Sequence, residues 1–318
     1  MRFGVMGAGA MGCRFGVHLA EAGHEVWLVD VWEEQVAALR RHGVWVDDGV
    51  RPRSVRVQAT LDPAEVGTVD YLLVFTKSHH TRQAAQSAVP MAGPRTWVVT
   101  LQNGLGNVEA LAEVFRAERI LAGVCFLWSD LVAPGRIRWT PHPVEIHLGP
   151  VDPSGFGGAQ QLATVLTAAG LPAQALPDPW EAIWYKVAFN AAANALAAVT
   201  RLPVGPLVAQ PAAREIFERL VEEVAAVAAA EGISLDPQRV LDTLLRRHQS
   251  PQERTHLPST LQDVLRQRPT EIGFLNGEIV RRAERYGIPV PYNTLLTRII
   301  EILERTYPQQ ILLLDPRV

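Results

Sequence analysis

The chain has 318 residues, 48% of them hydrophobic and 20% charged, with a formal net charge of −3. That composition is that of an ordinary globular protein with two domains, each able to bury its own core. Charge of mixed sign along the whole chain excludes a basic face for nucleic acid or for a membrane surface.

In chain order, the N-terminus "MRFGVMGAGAMG" leads straight into a strand, without the three-part pattern of a secretory signal. No apolar run reaches the roughly 18 residues of a membrane span. Only two cysteines occur, Cys13 and Cys125, inside predicted elements and away from any His/Cys cluster. We therefore expect no disulfide framework, no metal site and a reducing, cytoplasmic setting.

Residues 1–177 alternate apolar strands with helices. The runs "RFGVMG", "EVWLV", "DYLLVFT", "TWVVTLQN" and "RILAGV" are continuous β-rich segments, as in a parallel sheet covered on both faces. Helices are expected near 11–22, 33–41, 79–89 and 107–116. The fold class is α/β, with an N-terminal doubly wound Rossmann-type domain. "GVWVDDGVRPRSVRVQAT" turns at Asp48-Gly49 and is expected to form a hairpin. "GRIRWTPHPVEIHLG" reads as a pair of later strands, followed by a helix near 158–169. The proline-rich "LPAQALPDP" is a last short strand and linker.

From residue 178 to 318 every long segment has helical periodicity: 180–200, 211–231, 236–247, 258–265, a long helix 270–286, and 291–306. This second domain is all-helical and is expected to carry substrate and catalysis. The cleft between the domains is the natural place for a site.

The first candidate site is Gly7-x-Gly9-x-x-Gly12, after the first strand and at the start of a helix. Such glycines allow a tight turn and close approach of backbone N–H groups to a pyrophosphate. The whole loop, Gly7, Ala8, Gly9, Ala10, Met11 and Gly12, is assigned to the dinucleotide. About twenty residues on, Asp30 ends the second strand, where a carboxylate accepts from the ribose hydroxyls. A 2′-phosphate there would meet like charge, roughly 4 kcal/mol at about 4 Å and an effective dielectric near 20. Unless Arg40 or Arg41 turns in to compensate, NAD(P)H binding therefore leans towards NADH. Lys77 in "VFTKSHH" and Asn103 in "TLQNGLGN" follow later strands at their carboxyl ends, where ligands bind in open α/β sheets. His79 and His80 are read as helix-start residues.

The second candidate site is "AIWYKVAFNAAANALAAV". Its polar residues Lys186, Asn190 and Asn194 recur at i, i+4 and i+8, on one stripe of an otherwise apolar helix. A lysine and two amides among alanines are costly unless paired, so the stripe is expected to line a site for a polar anionic molecule. Further on, Ser259 and Asp263 lie one turn apart, and Glu271 precedes Asn276-Gly277.

These motifs together resemble the ketopantoate reductase family, over essentially the full length. The resemblance rests on G-A-G-A-M-G, F-T-K-S, L-Q-N-G, W-Y-K-V-A-F-N-A-A-A-N and S-T-L-Q-D-V with T-E-I and L-N-G. It implies reduction of 2-dehydropantoate to (R)-pantoate with a nicotinamide cofactor, on the route to pantothenate and coenzyme A. It also implies that Lys186 is the general acid and that Asn190, Asn194 and Ser259 bind substrate. Asn103 and Lys77 match positions near the nicotinamide, with Asn103 also reaching substrate. Glu271 matches an acid that contacts both cofactor and the active-site lysine. Three departures stand out: Asp30 replaces a common arginine, Pro258-Ser259 replaces a serine pair, and His256 stands where some relatives have asparagine. The alternatives are a reductase of another 2-oxo acid or of an imine, as in opine dehydrogenases, and a non-catalytic dinucleotide sensor. The expected partner is a small-molecule 2-oxo acid, with a homodimer compatible with the sequence.

Overall fold

The structure is a computed structural model that describes residues 1–140, 145–247, 255 and 257–310. Strand β1 (Arg2–Met6) leads through the glycine loop into α1 (Ala10–Glu21), and β2 (Glu25–Val29) into α2 (Glu33–His42). Next come β3 (Val44–Asp47), β4 (Arg53–Val55), β5 (Gln58–Thr60), β6 (Tyr71–Val74) and α3 (Thr81–Ser87). They are followed by β7 (Trp97–Thr100), α4 (Asn107–Ala112), β8 (Ile120–Phe126), β9 (Asp130–Ala133) and β10 (Arg136–Arg138). Strand β11 (Glu145–Pro150), α5 (Phe156–Ala168) and β12 (Ala173–Ala175) complete this half.

The main sheet has eight strands in the order β12-β11-β8-β7-β6-β1-β2-β5. Its central pairs are parallel, whereas β11 runs antiparallel to β8. The alternation of strand side chains shows why continuous apolar runs were needed. Tyr71 and Leu73 of β6 join one buried cluster with Phe3, Phe15 and Leu28, while Leu72 and Val74 join another with Met91 and Leu111. Each face of the sheet is thus covered, and the strand has no polar side.

A second, four-stranded sheet has the order β4-β3-β10-β9. The β3–β4 pair is the expected hairpin around Asp48-Gly49. The partner strand β10 was expected to pair with the strand after it; instead it pairs in parallel with β3, and β11 goes to the main sheet. Residues 141–144 of that segment lie outside the described residues.

The remainder is helical: α6 (Trp180–Thr200), α7 (Val204–Val208), α8 (Pro211–Ala230), α9 (Pro237–Arg247), α10 (Ser259–Leu265), α11 (Asn276–Tyr286) and α12 (Pro291–Arg305). The single helix expected over 270–286 is not formed. A 3-10 turn, Ile272–Phe274, precedes α11, and Leu275 between them has φ −104° and ψ −107°. Thr270 Oγ1 accepts from the Ile272 N–H, and Asn276 is drawn inward as described below, so local side-chain bonds override helical periodicity.

Contacts divide the chain into residues 1–102 with 106–182, and residues 103–105 with 183–318. The division falls within α6, past the expected junction at 177/178. It also assigns Asn103–Leu105 to the helical unit. No helix of the described residues is long and apolar enough to cross a membrane.

Candidate active site

In the first unit the three glycines differ in what surrounds them. Gly7 has φ +98°, and a Cβ there would lie 2.8 Å from the Phe75 and Thr76 backbone. A Cβ on Gly12 would run into the Gly7 carbonyl oxygen, so α1 packs on the loop only because residue 12 has no side chain. A Cβ on Gly9 would meet nothing within 4 Å among the described residues. Sterics at positions 7 and 12 thus explain the fold, whereas the glycine at position 9 leaves an open approach to the N-terminus of α1. That is the arrangement a pyrophosphate requires, and Gly9, Ala10 and Met11 carry the first backbone groups beside it.

Asp30 is tied to this loop. One carboxylate oxygen accepts from the Ala8 N–H at 2.7 Å and the other from the Trp32 N–H at 3.0 Å. Those bonds orient the carboxylate while leaving lone pairs for a ribose, since an ionised carboxylate offers about four acceptor sites. Arg40 is engaged elsewhere: its Nε donates to the Ala59 carbonyl at 2.8 Å, and Nη2 lies 3.3 Å from both Thr60 Oγ1 and Glu65 Oε2.

Lys77 is half-buried at the start of a 3-10 turn, Ser78–His80, and the exposed His79 and His80 stand at the entry to α3. The loops after β6 and β7 are joined by Gln102, whose Nε2 donates to the Thr76 carbonyl at 2.7 Å and to Thr81 Oγ1 at 2.9 Å. Sequence reasoning passed over Gln102 although it sits inside the L-Q-N-G motif. Its signal was there: a polar residue directly after a strand, beside an Asn-Gly pair.

In the second unit, the rise of α6 separates Lys186, Asn190 and Asn194 by about 6 Å each along one face. Lys186 is half-buried, while Asn190 and Asn194 are 9% and 5% exposed. The α11 start is pinned beside them. Asn276 is fully buried and its Nδ2 donates to the Ala191 carbonyl and to Asn293 Oδ1, both at 3.0 Å. Asn293 Nδ2 in turn donates to Glu223 Oε2 at 2.7 Å, and the Tyr292 and Asn293 N–H groups bind the same carboxylate at 2.9 Å. These bonds lock α6, α8, α11 and α12 together through buried polar groups.

Glu271 opens the 3-10 turn that leads into Asn276; its carbonyl accepts from the Phe274 N–H at 2.9 Å, and the residue is 7% exposed. Asn103 is brought to the same turn. The Leu105 N–H donates to the Phe274 carbonyl at 2.8 Å, and Gly104, at φ +87°, has no room for a Cβ against that oxygen. One junction therefore carries Glu271 and seats Asn103, and Asn276 binds it to α6 between Asn190 and Asn194. Ser259 begins α10 behind Pro258, half-buried, with Asp263 buried one turn on. Among the described residues Ser259 shares no hydrogen bond with that junction. His256 lies outside the described residues.

A buried cation–acid cluster also braces α11. Arg282 pairs with Glu278 at 3.0 Å and with Glu231 at 2.6 Å, and lies 6.0 Å from the Trp184 ring on α6. Among the described residues, no group of three or more His, Cys, Asp or Glu is placed to hold a metal ion.

Comparison with known proteins decides the family. The model of ketopantoate reductase PanE/ApbA matches residues 3–153, and the model of its C-terminal part matches 178–304. The chain is 31% identical to 2-dehydropantoate 2-reductase of Vibrio cholerae serotype O1, covering 96% of this chain and 99% of that protein. It belongs to the ketopantoate reductase family. A Streptococcus pyogenes 2-dehydropantoate 2-reductase is 29% identical over 94% of this chain and 97% of its own length. Among solved structures, a PanE/ApbA family ketopantoate reductase from Ralstonia eutropha JMP134 superposes with TM-score 0.88 at 33% identity, covering 97% of this chain and all of that one. D-mandelate dehydrogenase in a ternary complex with NADH and anilino(oxo)acetate superposes with TM-score 0.92 at 29% identity, over 97% of this chain and 100% of that one. The chain is accordingly an oxidoreductase of this family that uses a nicotinamide dinucleotide.

Proposed function

We propose that the protein reduces 2-dehydropantoate to (R)-pantoate, with the glycine loop and Asp30 holding the cofactor and the α6 row holding substrate. The observation that carries this reading is the row Lys186, Asn190, Asn194 on an apolar helix, with the Glu271 turn pinned beside it through Asn276. When bound, the reduced nicotinamide supplies the hydride. As the carbonyl carbon is reduced, negative charge develops on its oxygen; the Lys186 ammonium stabilises that charge and donates the proton. The Asn190 and Asn194 amides donate to the carboxylate and accept from the hydroxyl of the substrate, fixing its orientation. Ser259 adds a hydroxyl that works in either sense. Glu271 directs the lysine, and Lys77 and Asn103 bind towards the nicotinamide end.

NADH is the favoured cofactor in this reading. Asp30 presents a carboxylate at the ribose position, and Arg40 is spent on Ala59, Thr60 and Glu65. The NADH complex of a relative that shares the fold at 29% identity supports a nicotinamide dinucleotide, and the choice between NADH and NADPH rests on Asp30 alone.

A second reading has its own observation: that relative is a D-mandelate dehydrogenase, so this scaffold also serves a 2-hydroxy acid with an aromatic substituent. Pro258, in place of a serine, removes one polar group next to Ser259 and is compatible with a less polar substrate. The test is cofactor oxidation with ketopantoate against phenylglyoxylate, 2-oxoisovalerate and pyruvate. Ketopantoate should give the highest kcat/KM; a higher value for phenylglyoxylate would replace the first reading with the second.

A further inference from the structure

Gln35 lies on α2, outside every motif considered so far, and is fully buried. Its amide is used at both ends. Nε2 donates to the Ala8 carbonyl at 2.6 Å and lies 3.5 Å from Cys13 Sγ, while Oε1 accepts from the Gly135 N–H at 2.7 Å. The reverse orientation would set acceptor against acceptor at Ala8 and donor against donor at Gly135, so the two neighbours fix the amide.

The Ala8 carbonyl takes a second donor, the Cys13 thiol, at 3.1 Å. Burial pushes that thiol well above the ordinary cysteine range, with Asp30 adding to the shift, so it keeps its proton. On the other side of the residue, the Ala8 N–H is held by Asp30. Both backbone groups of Ala8 are therefore occupied from within the fold.

A trans peptide points its C=O and N–H in opposite directions. Holding the Ala8 carbonyl inward turns the Gly9 N–H outward, at the glycine where an added Cβ would meet nothing within 4 Å. An apolar side chain at position 35 would fill the same space without the cost of burying an amide. What the amide adds is direction.

We propose that Gln35 is a positioning residue for the dinucleotide: its amide sets the Ala8–Gly9 peptide so that the Gly9 N–H meets the pyrophosphate. The inference rests on reading the glycine loop as the pyrophosphate site. Gly135 extends the link, since its carbonyl accepts from the Trp45 N–H at 2.8 Å, so the second sheet is anchored to the loop through one side chain.

The experiment compares full-length wild type with Gln35→Met, Gln35→Glu and Gly9→Ala. NADH dissociation constants come from fluorescence titration, melting temperatures from the unliganded proteins, and kcat from saturating NADH. Gln35→Met keeps length and burial but offers no donor; Gln35→Glu keeps the acceptor for Gly135 and, when ionised, loses the donor to Ala8. Gln35→Met should weaken NADH binding by about tenfold or more, the scale of one misdirected hydrogen bond to a charged group, and Gln35→Glu should do so at a pH where its carboxyl is ionised. Turnover at saturating NADH should stay within about twofold, because the residue does not touch the reacting atoms. Wild-type NADH affinity in Gln35→Met, alongside weakened binding in Gly9→Ala, would leave Gln35 a packing residue and overturn the inference. Wild-type affinity in Gly9→Ala would instead remove the loop reading and this inference with it. Should Gln35→Met fail to fold, the same comparison is made with Gln35→Leu, which likewise offers no donor.

Discussion

In the proposed reading, the glycine loop and the α6 row would hold a polar ligand in opposite ways. The loop uses backbone groups, and its sequence signal is the absence of side chains at Gly7, Gly9 and Gly12. The row uses side chains on a regular helix, and its signal is three polar residues where alanine and valine dominate. The supports differ accordingly. Behind the loop, Asp30, Gln35 and Cys13 all act on a single residue, Ala8. Behind the row, Asn276, Asn293 and Glu223 hold whole helices in register. Disturbing the first should change cofactor affinity, and disturbing the second should change turnover and stability.

The largest expected effect belongs to the row. Lys186→Ala should retain NADH affinity but lower kcat by about 10²–10⁴-fold, the range for losing an acid–base group. Steady-state turnover beside a fluorescence titration reads both quantities. Near-normal kcat would take Lys186 out of the chemistry and leave the row a structural feature.

Within the loop, two chemically identical substitutions should fail differently. Gly12→Ala puts a methyl into the Gly7 carbonyl and should cost about 1–3 kcal/mol or more of stability, as overpacking does. Gly9 has φ −70° and ψ −165°, ordinary for alanine, and open space in front of it. Gly9→Ala should therefore melt like wild type and lose NADH affinity. If both variants lost stability equally, the open face at Gly9 would have no functional meaning.

Asn276→Ala tests the other support. It leaves the Ala191 carbonyl and Asn293 Oδ1 without their buried donor, which should cost about 1–3 kcal/mol. Calorimetry should show the lowered stability and kinetics a reduced kcat, with the NADH dissociation constant unchanged. A raised dissociation constant with intact kcat would contradict the division of labour drawn above.

How much of this was legible beforehand follows from the range of each interaction. Continuous apolar strands, the glycine spacing and the i, i+4, i+8 row are local periodic signals, and each appears where sequence placed it. Of the second sheet only the β3–β4 hairpin was legible; its extension was not, because β10 pairs with β3 some ninety residues earlier, and neither strand announces its partner. The break ahead of α11 was missed because periodicity continues through 270–286, while the reasons for stopping are side-chain bonds at Thr270 and Asn276. Gln35 was invisible for a simpler reason. One glutamine on an amphipathic helix carries no pattern, and its importance comes from Ala8 and Gly135, 27 and 100 residues away.

The smallest effect, and the one that most sharpens the picture of the loop, concerns cofactor choice. Asp30 holds the Ala8 N–H, and in the proposed reading it also presents charge where a 2′-phosphate would lie. Asp30→Asn retains an acceptor oxygen for only one side of that geometry, so affinity should fall for NADH and NADPH alike. The repulsion, however, applies to NADPH alone, and its removal should move the ratio of kcat/KM values towards NADPH. Arg41 is the residue that could oppose this preference in the wild type. It is exposed and lines, with Glu33, Arg40 and Leu61, a groove of about 470 Å³ along α2. Arg41→Ala should accordingly move the ratio of kcat/KM values further towards NADH. The two cofactors need to be compared at one ionic strength, because screening weakens an exposed charge effect. A wild-type preference for NADPH beyond about tenfold, or roughly 1.4 kcal/mol, would remove Asp30 as the selector. Its hold on Ala8 would then be its whole contribution, and both cofactors should weaken in Asp30→Asn by the same factor.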